Sequence, residues 1–506
     1  MKVFLINPPF ETEEDYSGKL ELYQPLGIAY VAASLEKSGH NVKIIDSVIE
    51  GFKQIEHSNG KKFFGLPAKE IASAVLKEKP DIIGITGMSP WKNSIFNLAR
   101  SIREKNSEIP IICGGSITTL EPSVVLSNPD IDFVIIGEGE ITFVEFLKVL
   151  KRPDEWHSIP GLGFKSKGKP ILNKPSCFNV DLDSLPFPAR HLLPMKKYFK
   201  AASYYEYSRG KASSPRATGI ITSRGCPFNC VFCSAKLLAG KFWRPRNAEN
   251  VIAEMEECIS KYNITDFYFE DENMSLNKER TNKLMDTIIE KKWKVVLHSP
   301  QGLRADSLDK GILRKMKKAG FRDITIGVET GSQKVMDEVV DKRLRLERVE
   351  EVVKDCKEIG IEVSCFFVIG MVGPRVETKE EIKQTLDFAK KLRKIGVSHC
   401  TIRNALPIPG TRMHQIAKEK EYLLMPDDID FNKIYTVQKH FMRTPEWEPE
   451  EVMDFVKQAE VEDARDLLFS RHLFKMMYFK KFLNGLVTSP GITVKIALVR
   501  VKKAIK

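Results

Sequence analysis

The sequence predicts an α/β protein built from two consecutive strand–helix series. Three observations lead there. Short apolar runs alternate with helix-period segments over residues 1–150, the alternation returns over residues 215–415, and the first-series runs are apolar on both faces and precede glycine-containing loops. Strands apolar on both faces, each followed by a helix, imply parallel sheets covered by helices. At 506 residues the chain exceeds one ordinary domain. Its 42% apolar and 29% charged content is ordinary for a globular protein with a sizeable core.

In the first series, strands are expected at residues 3–6, 42–45, 82–86, 110–113 and 133–136, with helices near 27–37, 68–79, 94–105, 121–126 and 141–150. The pattern is that of a Rossmann-like sheet. Its strand-end loops carry small residues: Thr86 to Ser89, Gly114 and Gly115, then Gly137, Glu138, Gly139 and Glu140. Ligands of open parallel sheets sit beyond the carboxyl ends of the strands; the plainer reading is that these glycines only make turns. Asn7-Pro8-Pro9 follows the first strand in place of GxGxxG, and no GxxxxGK(S/T) phosphate loop occurs.

Residues 151–214 read as a linker and hairpin region. The second series then gives strands at 219–222, 266–270, 294–298, 323–328, 362–369 and 399–403, separated by helices at 248–261, 278–291, 307–319, 346–359 and 379–395. A helical C-terminal extension fills 416–506.

The chemistry is concentrated in TSRGCPFNCVFCS, residues 222–234, where Cys226, Cys230 and Cys233 form C-x3-C-x2-C directly after a strand. Three clustered thiolates suit soft or borderline metals. Structural zinc wants four ligands, usually in two knuckles, yet no fourth cysteine is near and no histidine lies between His191 and His298. A four-iron cluster usually takes four cysteines; with three, one iron stays open.

Cys226, Cys230, Phe232 and Cys233 match the CxxxCxΦC loop of the radical S-adenosylmethionine (SAM) enzymes, which this chain resembles over roughly 215–415. The resemblance implies a 4Fe-4S cluster whose open iron chelates SAM, reductive cleavage to a 5′-deoxyadenosyl radical, and a partial (β/α)6 barrel. Such barrels place their chemistry at the carboxyl ends of the strands. The residues expected there are Glu270 with Asp271, Arg304, Glu329 in GVETGS, Gly370 in VIGMVG, and Pro407 in LPIPGT. Phe232, Glu270, Arg304, Glu329, Gly370 and Pro407 are therefore the SAM-binding candidates; Glu270 and Glu329 are also placed to cap the helices that follow. Ser332 and Asp306 read as ordinary helix-start residues. His298, read as ending a strand, and Tyr207, beside Tyr204 and Tyr205, are substrate-contact candidates; a satisfied structural histidine is the alternative for His298. The Lys196–Arg216 stretch around these tyrosines is expected to form a mobile loop near the barrel mouth.

NPP after the first strand, the segment 25–46, Gly114–Gly115, GEGE and the linker DLDSLPFPAR resemble the cobalamin-binding domain and join of one large radical SAM subgroup, extending the resemblance to about 1–415. It implies cobalamin held by Thr86, Ser89, Gly114, Gly115, Gly137 and Glu138. The DxHxxG motif that supplies a lower cobalt ligand elsewhere is absent: its nearest echo, Asp46 to Gly51, has Val48 in the histidine position. Cobalamin is thus expected without a protein histidine ligand; loss of cobalamin from a retained core is the alternative. The implied reactions are C-methylation of an unactivated carbon, the first choice, or oxidative cyclisation as in the anaerobic porphyrin cyclases. The resemblance also implies an electron donor such as ferredoxin or flavodoxin.

Six further cysteines (Cys113, Cys177, Cys258, Cys356, Cys365 and Cys400) are scattered and read as small buried hydrophobes. The net charge is +12, but Leu467–Lys506 alone carries nine Lys and Arg and no acid, leaving +3 elsewhere. A nearly balanced body gives no support to nucleic-acid binding. The tail reads as a basic amphipathic helix, either packed on the barrel or lying on an anionic membrane surface, the latter favouring a lipid-like over another small-molecule substrate. The apolar run at Val3–Ile6 is stopped by Pro8 and Pro9, too short for a signal peptide. A cytoplasmic location is expected, possible peripheral attachment included.

Overall fold

The computed structural model describes residues 1–14, 21–58, 60–175, 181–202, 206–207, 213–424 and 439–469. The basic tail, Cys177, Tyr204 and Tyr205 lie outside these residues.

Five parallel strands form where the apolar runs predict them: β1 (Lys2–Asn7), β2 (Asn41–Asp46), β3 (Ile82–Thr86), β4 (Ile111–Gly114) and β5 (Phe133–Ile135). A hairpin of β6 (Leu162–Ser166) and β7 (Lys169–Leu172) adds antiparallel to β5, giving the order β7-β6-β5-β4-β3-β1-β2. The first sheet therefore continues past residue 150. Alternate side chains divide between two cores, as a two-residue period demands. Val3 and Leu5 join the helices Leu26–Lys37 and Gly139–Val149 on one face. Phe4 and Ile6 join Ala68–Lys77 and Lys92–Arg103 on the other.

The second sheet has six parallel strands in chain order: β8 (Ala217–Ile220), β9 (Asp266–Phe269), β10 (Val296–Leu303), β11 (Phe321–Glu329), β12 (Glu362–Ile369) and β13 (His399–Asn404). β8 and β13 are its two edges, so the sheet is an open, partial (β/α)6 barrel. Side-chain caps at Asn247, Asn277 and Asp309 and a Thr378–Glu381 capping box begin its helices, each stabilising by about 1 kcal/mol.

Both edges are covered, which prevents pairing with another chain. On β8, Gln24 Nε2 donates to the Ala217 carbonyl and Arg190 Nη2 to that of Gly219. Arg190, which ends the predicted linker motif, also pairs with the buried Glu254 at 2.7 Å, and Arg246 binds the same carboxylate. On β13, Asp463 of the helix Pro449–Phe469 accepts from the Cys400 amide and pairs with His399.

Two expectations are corrected. Residues 196–201 of the expected mobile loop belong to a helix, Met195–Ala201, because Met195, Tyr198 and Ala201 bury themselves in the main core and the Tyr198 hydroxyl bonds Asp46. His298 does not end its strand. β10 runs on through Pro300 to Leu303 with two register shifts, so His298 sits near the amino end, between Asp323 at 2.8 Å and Asp266 at 3.4 Å, stacked on Tyr268. A proline within a strand is tolerated at such irregularities. His298 is the satisfied structural histidine.

Among the described residues no helix is long and apolar enough to cross a membrane. Cys113, Cys258, Cys356, Cys365 and Cys400 are buried free thiols.

Candidate functional site

The cysteine loop leaves β8 at the mouth of the barrel and is held along its length. Asp271, just past β9, accepts from the Thr222 amide and from the hydroxyls of Thr222 and Ser223. Arg280 Nη2 donates to the Thr222 carbonyl at 2.7 Å. Ser223–Arg224 forms a short ladder with Arg244–Pro245. Gly225 follows with φ +86°, and a Cβ there would lie 2.2 Å from the Phe242 carbonyl oxygen, so only glycine fits. The far side is tied by the Val231 amide to Val340, by Met413 to the Val231 carbonyl, and by Arg412 Nη1 to the Asn229 carbonyl.

Cys226 and Cys230 are half-buried and Cys233 is exposed; loss of hydration against the surrounding protein raises the three thiols, that of Cys230 to about 12, while Lys342 opposes the rise at all three and Arg304 at Cys226 and Cys230. Ligation needs thiolates, and neighbouring cations favour them. Among the described residues no three Cys, His, Asp or Glu side chains gather closely enough for a single metal ion. Each thiolate of a polynuclear cluster binds its own iron, and three thiols on one pinned loop facing Lys342 and Arg304 are a donor set that suits that group.

Arg304 stacks over Phe228, inside the loop, with its Cζ 3.6 Å from the ring centroid. Two of its nitrogens bind Asp306 and the Lys342 carbonyl, whereas Nη1 is buried without a partner. Asp306 thus holds Arg304 from the first turn of a short 3-10 helix, Ala305–Ser307. Glu329 ends β11 in a left-handed conformation, φ +76°, and pairs with Lys342 at 2.7 Å. Strain of this kind concentrates at functional positions. The pair lies over Gly327, where a Cβ would come 2.8 Å from Glu329 Oε1 and 3.0 Å from Lys342 Nζ. Lys342 was missed in the sequence; it follows a π-helical turn, Met336–Val340, which no apolar period announces.

The other SAM candidates have their own surroundings. Phe232 is half-buried against the core. Glu270 accepts from Gln301 Nε2. Gly370, φ +72°, packs against His440 and Val452, and Pro407 is buried in the segment leading to Met413. His440, also missed, is buried with neither ring nitrogen bonded, and Trp447 lies edge-on to it. Tyr207 is described only by its backbone, in a two-residue strand beside Glu21–Leu22.

The strand-end loops of the first sheet meet the barrel near the cysteine loop. Thr119, Leu120, Ile136 and Gly137 from the first domain, Pro175, and Leu237 and Gly410 from the barrel line a cleft of about 170 Å3. A Cβ at Gly114 would meet nothing within 4 Å, and Met88, between Thr86 and Ser89, is exposed. Gly115 is knitted to the neighbouring strand end: Thr119 Oγ1 donates to the Gly115 carbonyl and accepts from the Gly137 amide. Ser89 is buried and bonds Glu121. Open glycine space and an exposed methionine fit a large, partly apolar ligand held by backbone and apolar contacts. Val48 lies in the main core, so the degenerate DxHxxG echo offers no side chain to that ligand. Glu138, the remaining cobalamin candidate, binds Arg244 and Arg224 through its carboxylate.

Residues 220–389 match the Radical SAM superfamily and residues 21–147 the B12 binding domain. An uncharacterized methyltransferase of Pyrococcus horikoshii is 32% identical over 87% of this chain and 89% of its own length. The cytidylyl-2-hydroxyethylphosphonate methyltransferase of Streptomyces wedmorensis is 28% identical over 77% of each. In fold, the chain is similar to the cobalamin-dependent SAM radical enzyme OxsB, solved with aqua-cobalamin and SAM bound: TM-score 0.70, 18% identity, covering 100% of this chain and 72% of that one.

Proposed function

This chain belongs to the radical SAM enzymes that carry a B12-binding domain, and from that premise we propose that it methylates an unactivated carbon of a small or lipid-like metabolite. When bound, the cluster and SAM supply an oxidant able to remove hydrogen from such a carbon, and cobalamin supplies the methyl group. The observation that carries the reading is the placement of the pinned three-cysteine loop beside the cleft lined by Gly137, Leu237 and Gly410.

Cys226, Cys230 and Cys233 would ligate the cluster. Arg304 Nη1, buried and unpaired, would meet the SAM carboxylate; charge-assisted bonds of that kind are the strong ones. The Glu329–Lys342 pair over Gly327 orients polar contacts to the rest of SAM, and Gly370 and Pro407 border its adenine. Glu270 and Phe232 line the same mouth. Thr86, Ser89, Gly114, Gly115 and Gly137 form the cobalamin cradle without a histidine ligand. A ferredoxin or flavodoxin would deliver the electron. The location is taken as cytoplasmic, with the tail as a route to a membrane surface.

The test is to feed methionine carrying a deuterated methyl group to cells that express the chain and to cells that lack it, then compare their metabolites and lipids by mass spectrometry. A product that gains the intact labelled methyl is expected. A product that only loses two hydrogens would replace methylation by cyclisation or desaturation.

A further inference from the structure

Arg224 and Arg244 stand directly opposite one another on the ladder that closes the base of the cysteine loop. Both reach into the first domain. Arg244 clasps Glu138 with two nitrogens, at 2.7 and 2.9 Å. Arg224 shares Glu138 at 3.1 Å and binds Glu140 at 2.7 Å. The four side chains are only 6–15% exposed, so solvent and salt screen them little. Glu138 and Glu140 occupy the N-cap and first turn of the helix Gly139–Val149, where the helix dipole favours carboxylates. Burial alone would raise the Glu138 carboxyl, yet the two arginines hold it below the ordinary carboxylate range.

The position of the bridge matters more than its strength. Glu138 follows Gly137, which lines the interdomain cleft. Arg224 precedes Cys226 by two residues, so the bridge and the first thiol are joined by about 7 Å of chain at most. The guanidinium of Arg224 also lies over the ring of Tyr30, on a first-domain helix. No other ion pair joins a strand-end loop of the first domain to the cysteine loop among the described residues.

We propose that the Glu138–Arg244–Arg224–Glu140 bridge is a positioning device that fixes the separation between the cobalamin cradle and the cysteine loop. Neither arginine needs to touch a cofactor or substrate for this. The role rests on the reading that both cofactors bind.

The experiment uses the anaerobically prepared holoenzyme. Iron and cobalt are assayed first, and pulsed electron paramagnetic resonance then measures the dipolar coupling between cob(II)alamin and the reduced cluster, without turnover. The wild type should give one narrow distance distribution. Glu138→Gln and Arg244→Gln should keep wild-type iron and cobalt but broaden that distribution at least twofold, and Arg244→Lys, which keeps the charge, should recover part of the width. Unchanged distributions in both glutamine variants would overturn the proposal. So would loss of cobalt in Glu138→Gln alone, which would make the carboxylate a cobalamin contact. If the glutamine variants fail to fold while Arg244→Lys and Glu138→Asp match the wild type, the bridge is a stabilising contact and the proposal falls. A wild type without cobalt removes the functional reading itself, an outcome the metal assay reports separately.

Discussion

Arg304 and Phe228 are stacked, guanidinium carbon to ring centroid 3.6 Å, although 76 positions separate them in the sequence. The contact anchors one face of the cationic group to the cysteine loop, while Asp306 and the Lys342 carbonyl hold two of its nitrogens. Only Nη1 is left to receive a ligand.

Arg304→Gln should therefore assemble the cluster normally but weaken SAM binding by about 10- to 100-fold, the usual worth of a hydrogen bond between charged partners. Iron content and equilibrium binding of SAM check the two halves separately. Loss of iron with unchanged SAM affinity per cluster would show instead that Arg304 serves the loop alone.

The Glu254 carboxylate is shared by Arg190 and Arg246, and all three side chains are nearly inaccessible. Glu254→Ala leaves two buried guanidinium groups without their counter-charge. The expected cost is about 3–5 kcal/mol, seen as a large fall in thermal midpoint and in soluble yield. Glu254→Gln should be milder, since it keeps one acceptor.

Two histidines give opposite pH dependences. Burial of His440 pushes its pKa down to about 3 from 6.5, so the unfolded chain binds a proton that the folded one refuses. Its stability contribution is complete above about 6.5 and shrinks by about 1.4 kcal/mol per pH unit below it. His298 is also buried, but Asp266 and Asp323 outweigh that and raise its pKa. Its contribution is complete below 6.5 and is lost as pH rises through the raised value. Denaturation midpoints measured from pH 5 to 9 should show His440→Phe losing the acid-side slope and His298→Gln losing the alkaline-side one.

Both sheets and the three thiols were legible because each has a local signal: two-sided apolar runs for the strands and a fixed spacing for the cysteines. What was illegible depends on pairing across the chain. His298 reads as a strand end along the chain, and only the neighbouring strands reveal the register shifts through which β10 continues. The arginine partners of Glu138 come from residues 224 and 244, which no local pattern joins to its glycine-rich loop. Lys342 follows a π-helical turn, and His440 comes from the extension beyond the barrel to pack on Gly370; neither position carries a periodic or motif signature.

The central claim is that Cys226, Cys230 and Cys233 ligate three irons of a four-iron cluster and leave the fourth to SAM. Mössbauer spectroscopy of the anaerobically reconstituted protein tests this most directly. Four irons per chain are expected, one of which alone changes its isomer shift when SAM is added. Four irons that all stay unchanged on SAM addition, or a single zinc in their place, would contradict it.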